Sequence, residues 1–160
     1  MQIVFMRKVS TLCLALRDGR ILLGMKKRGF GAGWWNGFGG KIQAGETIEN
    51  AAKRETREEC GIVIRSMEKV GIHEFRFESK LEEILEVHLF RVDVFDGEPT
   101  ETEEMRPEWF AFSDIPYATM WPDDRYWMPL FLAGKKFRTK FFFGAGDVIL
   151  EKEVFEVESL

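Results

Sequence analysis

Alternation of apolar and polar residues predicts that β-strands occupy much of the chain. Between residues 11 and 16 leucine stands at every second position, which is the two-residue period of a strand with one buried face. Asp18-Gly19 is a typical hairpin turn, and residues 20–25 are predicted to return as the second strand. Further strands are predicted over residues 63–77 (bent or bulged), 85–95, 137–143 and 148–157, the last two forming a hairpin.

Two helices are predicted between these groups of strands. Thr47 can N-cap a helix that runs to about Cys60, and Gly61 suits the left-handed position beyond its end. A second helix is predicted over residues 122–133. This order predicts an α/β (α+β) fold in which a mixed β-sheet is sandwiched between helices. We expect residues 1–160 to form a single domain, because one hydrophobic core serves a chain of this length.

The composition is that of an ordinary globular protein, with 45% hydrophobic and 31% charged residues. The formal net charge of −4 argues against long nucleic acid as a partner, because phosphate neutralisation dominates such binding. No apolar run has the length of a membrane span, and residues 9–16 lack the cleavage site of a signal peptide. Cys13 and Cys60 show no metal-ligand or disulfide spacing, so we expect free thiols and a cytoplasmic protein. We also expect a monomer.

A glycine-rich segment separates the first hairpin from the first helix. Residues 26–40 contain six glycines and are predicted to form a long irregular loop. Glycine lets backbone N–H groups approach phosphate oxygens without obstruction by side chains. Such a loop is weak evidence when it stands alone, but it precedes an unusual helix.

The predicted first helix carries carboxylates on the face that should pack. At 100° per residue, one stripe contains Ile48, Ala51, Ala52, Glu55, Glu59 and Ile62. Glu58 lies beside the two acidic positions, and like charges on a packing face are costly unless a counter-charge arrives. A divalent cation such as Mg²⁺ takes oxygen ligands of this kind. The alternative is an exposed acidic turn balanced by Lys53, Arg54 and Arg57, and the helix alone leaves both interpretations open.

The loop and helix together resemble the Nudix box, GX5EX7REUXEEXGU with U an aliphatic residue. The matching string is Gly40, five residues, Glu46, seven residues, and then Arg54-Glu55-Thr56-Arg57-Glu58-Glu59-Cys60-Gly61-Ile62. Every fixed position is met, and the one departure is Thr56 at an aliphatic position, which affects packing more than metal binding. On this match the chain is identified as a member of the Nudix hydrolase family, with its box at residues 40–62.

The resemblance implies a magnesium-dependent enzyme, with Mn²⁺ as a possible replacement. Nudix enzymes attack a phosphorus of a nucleoside diphosphate that is linked to another group. Arg54 would orient Glu55 by a charge-assisted hydrogen bond, and Glu46 would support the loop. The metal ligands that the resemblance implies are Glu55, Glu58, Glu59, Glu104 and the backbone of Gly39.

Longer segments resemble one branch of the family, the MutT-related oxidised purine nucleoside triphosphatases. The likeness runs over about residues 10–153, and Trp-Pro-Asp-Asp at residues 121–124 is its most distinctive part. The other segments that carry it are residues 26–33, 35–41 and 104–107. The resemblance implies hydrolysis of 8-oxo-dGTP and 2-oxo-dATP to the monophosphate and pyrophosphate, which removes oxidised nucleotides from the pool.

The same resemblance implies a base-binding site on the flanks of the box. Asn36, Asp123 and Asp124 would hydrogen-bond the base edge, and Trp121 would stack on the base. Leu85 stands where a methionine usually lines the pocket, and Trp34 replaces a basic residue. The remaining residues that it implies at the substrate are Phe30, Phe75, Thr11, Lys26, Gly39 and Gly40.

Adjacent carboxyl groups in an apolar pocket cannot both ionise easily. Burial and a neighbouring like charge each raise a carboxyl pKa, so one of Asp123 and Asp124 is expected to be protonated. A neutral Asp donates to a purine oxo oxygen, whereas an ionised Asp accepts from N–H.

Simpler structural interpretations remain open for these elements. Trp-Pro-Asp-Asp can be a helix N-terminus with an Asp cap, and Phe30 and Phe75 can belong to an ordinary core. His73 and His88 are expected to be satisfied structural residues rather than ligands.

Three other functions compete with this one. The first is Nudix hydrolysis of a nucleotide sugar or dinucleoside polyphosphate. The second is isopentenyl diphosphate isomerase, which shares the fold but needs a catalytic Cys-and-Glu pair and His metal ligands. The third is a non-catalytic Nudix-fold module that binds nucleotide or RNA, which predicts a degraded box.

Overall fold

The computed structural model describes residue 2 and residues 4–160 of the chain. Within these residues, eight strands and two α-helices are joined by loops and short 3₁₀ turns. The strands are β1 (Met6–Arg17), β2 (Arg20–Lys26), β3 (Trp35–Asn36), β4 (Val63–Phe77), β5 (Glu83–Asp96), β6 (Met105–Ala111), β7 (Lys136–Phe143) and β8 (Ile149–Val157). The helices are α1 (Ile48–Cys60) and α2 (Asp124–Leu132).

The strands form a mixed sheet, as the sequence predicts. Its order is β3-β2-β1-β5-β4-β7-β8, and β6 pairs with β2 outside this path. The β1–β5 and β4–β7 pairs are parallel, and the others are antiparallel. The β1–β2 hairpin turns at Asp18 and Gly19, whose φ angles of 53° and 72° match the tight turn that joins twisted antiparallel strands.

The sheet separates two hydrophobic cores, each covered by one helix. In β1, Leu14 belongs to the larger core, which also holds Trp127 and Phe131 of α2. Its neighbour Cys13 faces the other core, which holds Ala52 of α1. Because successive strand residues point to opposite faces, α1 and α2 lie on opposite sides of the sheet. The predicted sandwich of a sheet between helices is confirmed.

Local signals at both ends of α1 explain its bounds. Thr47 accepts a hydrogen bond from the Asn50 backbone N–H at 3.1 Å, and Gly61 ends the helix with a φ angle of 82°. Thr56, the departure from the aliphatic pattern, is buried and donates to the Ala52 carbonyl at 2.8 Å. Its hydroxyl is therefore satisfied within the helix, and the packing face tolerates it.

Some predicted bounds were wrong. The segment 26–40, predicted to be irregular throughout, contains β3, and β6 was not predicted at all. β1 begins at Met6 and β5 at Glu83, both earlier than expected, and α2 begins only at Asp124. Cys13 and Cys60 are free and buried, as expected. No helix within the described residues is long and apolar enough to cross a membrane.

Candidate active site

A cavity of about 330 Å³ opens between the glycine-rich loop, the sheet and the start of α2. All the side chains and glycines that sequence reasoning assigned to the substrate line it: Thr11, Lys26, Phe30, Asn36, Gly39, Gly40, Phe75, Leu85, Trp121, Asp123 and Asp124. Of the residues assigned to the metal, Gly39 and Glu59 also line it, whereas Glu55, Glu58 and Glu104 do not, and neither does Arg54, which was expected to orient Glu55. The cavity therefore reaches from the Asp pair to the acidic face of α1.

The Asp pair lies buried at the end of the cavity nearest α2. Asp123 and Asp124 are 3% and 4% exposed, and Asp123 Oδ2 accepts a 2.9 Å hydrogen bond from the Trp127 indole N–H. The segment is the start of α2, as the simpler interpretation has it, and Asp123 stands at the N-cap position, but its side chain makes no cap bond. The Asp123 carboxylate instead lines the cavity and accepts the hydrogen bond from Trp127.

Burial determines the protonation of this pair. Burial raises the pKa of Asp124 well above its ordinary value, and the charge of Asp123 raises it further. Burial also raises the pKa of Asp123, but hydrogen bonds from Trp127 and Asp124 oppose the rise. Asp124 is therefore the member that keeps its proton to higher pH, and Asp123 is the acceptor.

Aromatic rings form the walls and rim of the cavity. The Trp121 ring lies 5.1 Å from that of Phe30 and 5.5 Å from that of Trp34, with tilts of 32° and 31°. Phe30 is 68% exposed, so its interpretation as core was wrong. Phe75 both lines the cavity and packs against the larger core. These faces give a flat ring an aromatic surface on which to stack.

Asn36 lies on β3, in the part of the chain that was expected to be irregular. Its side-chain oxygen accepts a 2.8 Å hydrogen bond from the backbone N–H of Gly37. β3 pairs with β2 on one side, and Trp35 bridges to Met120, next to Trp121. This short strand therefore fixes the position of Asn36 relative to the segment that carries the Asp pair.

Close backbone packing explains two of the glycines. Gly39 donates its backbone N–H to Glu59 Oε1 at 2.7 Å, and a Cβ at Gly39 would lie 1.9 Å from the Thr11 carbonyl oxygen. A Cβ at Gly40 would lie 2.7 Å from Cδ of Glu55. The Thr11 backbone N–H in turn donates to the Gly40 carbonyl at 3.0 Å. Only glycine lets β1, the loop and α1 approach this closely.

Glu59 is a buried carboxyl group that faces the cavity. It is 6% exposed, and burial raises its pKa to about 8 against the opposing hydrogen bond from Gly39. The charges of Glu55 and Glu104 raise it further, and the charge of Lys26 lowers it. Burial likewise raises the pKa of Glu55, while its hydrogen bond to Arg54 opposes the rise. Glu58 is exposed.

Arg54 connects the loop to the acidic face of α1. It donates to both carboxylate oxygens of Glu46, at 2.7 and 3.0 Å, and to Glu55 at 3.0 Å. Longer contacts of 3.3 to 3.4 Å reach Glu58, and the Lys41 carbonyl accepts at 3.2 Å. The Arg54 hydrogen bond lowers the pKa of Glu46. Arg54 thus holds one loop carboxylate and two helix carboxylates in place.

The acidic side chains fit a divalent cation chemically, although they are not gathered around one point. Within the described residues, no group of three His, Cys, Asp or Glu side chains is arranged as a ready metal site. Arg54 holds Glu55 and Glu58, and Glu59 is directed to Gly39. Even so, burial first and mutual repulsion second raise the pKa values of Glu55 and Glu59, and a hard cation would relieve that repulsion.

The basic turn after β2 has two roles. Lys26 lines the cavity, whereas Lys27 and Arg28 form ion pairs with the acidic segment 101–104. Arg28 reaches Glu104 at 3.8 Å, and the Glu104 carbonyl accepts a hydrogen bond from the Lys27 N–H at 2.8 Å. Lys26 therefore belongs to the cavity wall, as the resemblance implies. The two ion-paired residues hold the segment of Glu104 beside the loop.

Sequence reasoning missed several residues of the cavity wall. Trp127 stands four residues after Asp123, one helical turn along α2, and that spacing could have indicated the contact. Phe77 follows Phe75 by the strand period of two. The expectation that both histidines are satisfied was wrong, because His73 Nε2 and His88 Nδ1 are buried without a partner among the described residues. The further lining residues are Ser10, Leu12, Gly31, Gly37, Lys41, Val87, Met105 and Phe143.

Comparison with known proteins identifies the class to which this fold and acidic helix belong. A family model described as the NUDIX domain matches residues 6–131. The chain therefore belongs to the Nudix family. The fold agrees, since a crystal structure of a mutator MutT protein from Bacillus halodurans superposes with a TM-score of 0.82 at 26% identity, covering 92% of this chain and 97% of that one.

Two curated relatives match almost from end to end. The chain is 52% identical over 157 residues to an oxidized purine nucleoside triphosphate hydrolase from Danio rerio, covering 98% of this chain and 100% of that protein. It is 53% identical over 152 residues to the mouse protein of the same name, covering 95% and 97%. The expected resemblance to this branch of the family is confirmed.

Proposed function

We propose that the protein hydrolyses oxidised purine nucleoside triphosphates, namely 8-oxo-dGTP and 2-oxo-dATP, to the monophosphate and pyrophosphate. Such an enzyme removes oxidised precursors from the nucleotide pool. The observation that carries the proposal is a single aromatic-walled cavity with a buried Asp pair at one end and the buried carboxyl of Glu59 at the other. Curated relatives that match nearly the whole chain bear the same activity in their names.

The Asp pair suits an oxidised purine because it offers a donor beside an acceptor. The single O–H of Asp124, which is donated to Asp123 in the free protein, would turn to an oxo oxygen of the bound base, and Asp123 would accept from a ring or exocyclic N–H. We propose that Asn36 adds an amide contact and that Trp121, Phe30 and Phe75 enclose the base. Stacking on aromatic faces contributes about 1–3 kcal/mol per base.

At the other end of the cavity, we propose that the α1 carboxylates act on the phosphate chain. Glu55, Glu58 and Glu59, with Glu104 and the Gly39 backbone, would hold the divalent cation, which we propose is Mg²⁺ or else Mn²⁺. When bound, such a cation polarises phosphoryl oxygens and favours ionisation of an attacking water. Arg54 positions Glu55, and Glu46 positions Arg54 through its paired hydrogen bonds.

The remaining residues of the cavity position the substrate between these ends. Lys26 and Thr11 would line the sugar side, and Leu85 would line the pocket. The glycines at 39 and 40 keep side chains away from the phosphates. The reaction breaks the phosphoanhydride linkage between the α and β phosphates, and the oxygen of a water molecule enters the products. We further propose that residues 1–160 act as one domain, as a monomer, in the reducing cytoplasm, where the buried thiols stay free.

Pyrophosphate release from a panel of nucleotides tests this function. The panel comprises 8-oxo-dGTP, 2-oxo-dATP, dGTP, dATP, a nucleotide sugar and a dinucleoside polyphosphate, each with Mg²⁺ and with Mn²⁺. We expect the two oxidised triphosphates to give the highest kcat/KM. A higher value for the sugar or the dinucleotide, or no hydrolysis of any of them, overturns the proposal in favour of another Nudix activity or of a binding module.

A further inference from the structure

His73 lies on the floor of the cavity with one ring nitrogen bonded and the other without a partner. It is 0% exposed, and its Nδ1 lies 2.6 Å from Oγ1 of Thr139 on the neighbouring strand β7. Its Nε2 is buried and has no hydrogen-bond partner among the described residues. The ring lines the cavity, and because Thr139 holds Nδ1, Nε2 is the ring nitrogen left for a ligand.

Hydrogen-bond accounting indicates which nitrogen carries the proton. Thr139 is 2% exposed, and His73 is the only side-chain partner of its hydroxyl within the part of the chain that the structure describes. If the hydroxyl donates to Nδ1, one bond satisfies both groups and leaves only an Nε2–H donor unpaired. If Nδ1–H donates instead, the hydroxyl hydrogen and the Nε2 lone pair are both left over. The first arrangement is favoured, so His73 presents an N–H donor.

The surroundings of His73 exclude a role as a charged group. Burial lowers its pKa to about 3, so the ring is neutral at working pH and does not attract phosphate by charge. The ring lies 4.7 Å from the Trp127 ring and stacks on Phe75 at 5.3 Å. Trp127 is also the residue that donates to Asp123. His73 is thus one side chain away from the Asp pair, at the end of the cavity where we place the base.

We infer that His73 is a specificity-determining residue whose Nε2–H donates to an oxo oxygen of the bound purine. The inference rests on the proposed function, which places the base between Phe75 and the Asp pair. An exocyclic oxygen projects beyond the ring outline and can reach a nitrogen recessed behind the cavity surface, whereas the ring nitrogens are set further back. Thr139 acts through His73 by fixing its tautomer, and it is therefore a positioning residue.

A structural role and a recognition role predict different effects of His73→Leu. The substitution removes the unpaired Nε2–H but leaves the buried Thr139 hydroxyl without its side-chain partner, so the free energy of unfolding should stay equal or fall. Binding of the oxo nucleotide should weaken at the same time, because its oxo oxygen loses a hydrogen-bond donor. His88→Leu is the matched control, because His88 is also buried with one unpartnered nitrogen but lies outside the cavity and bonds Glu86.

The test measures binding of purine monophosphates without metal, in three pairs that differ at one oxo position. The pairs are 8-oxo-dGMP with dGMP, 2-oxo-dAMP with dAMP, and dIMP with the monophosphate of purine deoxyriboside. We expect His73→Leu to raise Kd for the oxo member of one pair by roughly 3- to 10-fold and to leave its partner unchanged. His88→Leu should change neither. An equal loss for all six nucleotides, or no loss, overturns the inference.

Nitrogen NMR of the wild-type ring gives a second measurement if the variant fails to fold. We expect Nε2 to be protonated in the free protein and its resonance to move on addition of the nucleotide that binds most tightly. A proton on Nδ1, or an Nε2 resonance that does not move at saturation, overturns the inference. Failure of the proposed function is distinct from both, since it appears as an absence of triphosphate hydrolysis while the binding data still report on His73.

Discussion

The Asp pair allows a prediction in which two isosteric substitutions have unequal effects. In Asp124→Asn, a neutral amide replaces a carboxyl that burial already keeps neutral, and the amide still donates hydrogen bonds. In Asp123→Asn, the acceptor of the Trp127 N–H loses its charge. The two side chains are adjacent and equally buried, so each variant is the control for the other.

The magnitudes follow from the hydrogen bonds that each variant loses. A hydrogen bond to a charged group contributes about 1.5–3 kcal/mol, so Asp123→Asn should lower kcat/KM for 8-oxo-dGTP by roughly 10- to 150-fold. Asp124→Asn loses no charge and should stay within about threefold of wild type. For dGTP, which makes fewer of these contacts, the loss in Asp123→Asn should be smaller, so the preference for the oxidised base narrows.

The assay is initial-rate pyrophosphate release from both nucleotides well below KM, in wild type and both variants, with melting curves to confirm folding. Magnesium dependence should be unchanged, because α1 is untouched. A larger loss of kcat/KM in Asp124→Asn than in Asp123→Asn would refute the reasoning, because it would mean that Asp123 rather than Asp124 holds the proton. An equal loss on both nucleotides would show that the base is read elsewhere.

Three further outcomes are expected. Glu59→Gln should keep the fold, because the amide oxygen still accepts a hydrogen bond from Gly39. It should lower kcat at least about 100-fold, whereas Glu49→Gln, at an exposed position of the same helix, should not. Near-normal kcat at saturating Mg²⁺ would show that Glu59 is not a metal ligand. Since the folded pKa of Asp124 is raised, the native state binds its proton more tightly, and this stabilisation is lost as pH rises. The free energy of unfolding, measured in urea, should therefore fall more steeply between about pH 5 and about pH 8 in wild type than in Asp124→Asn. Parallel pH dependences in the two proteins would contradict the assignment of the proton to Asp124. Gly39→Ala should destabilise by about 1–3 kcal/mol in the same measurement, because its Cβ meets the Thr11 carbonyl, and an unchanged midpoint would contradict the packing argument.

The elements with local signals were predictable from the sequence. Thr47 and Gly61 mark α1 through capping chemistry that needs no tertiary partner, and the acidic face followed from helical spacing alone. β6 was missed because Pro107 and its charged neighbours argue against a strand, and β6 tolerates them at the border of the sheet, where it pairs with β2. β3 has only two residues, which is too short for any period to appear.

The residues of the candidate site likewise fall into those that the sequence predicts and those that it does not. The resemblance supplied the residues that carry a motif, and every substrate residue drawn from it lies at the cavity. Trp127 and His73 belong to no motif. The four-residue spacing from Asp123 could have indicated Trp127, but a His in a strand is an ordinary core residue until tertiary packing brings it to the cavity. Asp123 stands at the N-cap position of α2, but its carboxylate bonds Trp127 instead of the helix backbone, and only the folded structure decides between these two roles.

The two ends of the cavity come from separate stretches of chain, with α1 and its glycine loop at one end and the start of α2 at the other. A substitution near residues 121–127 can therefore change which base is accepted without moving a carboxylate of α1. During divergence, such a protein can acquire a new nucleotide preference through single replacements while hydrolysis continues at every step. The same separation makes the α2 end the natural place for mutational libraries that aim to redirect the enzyme to other damaged bases.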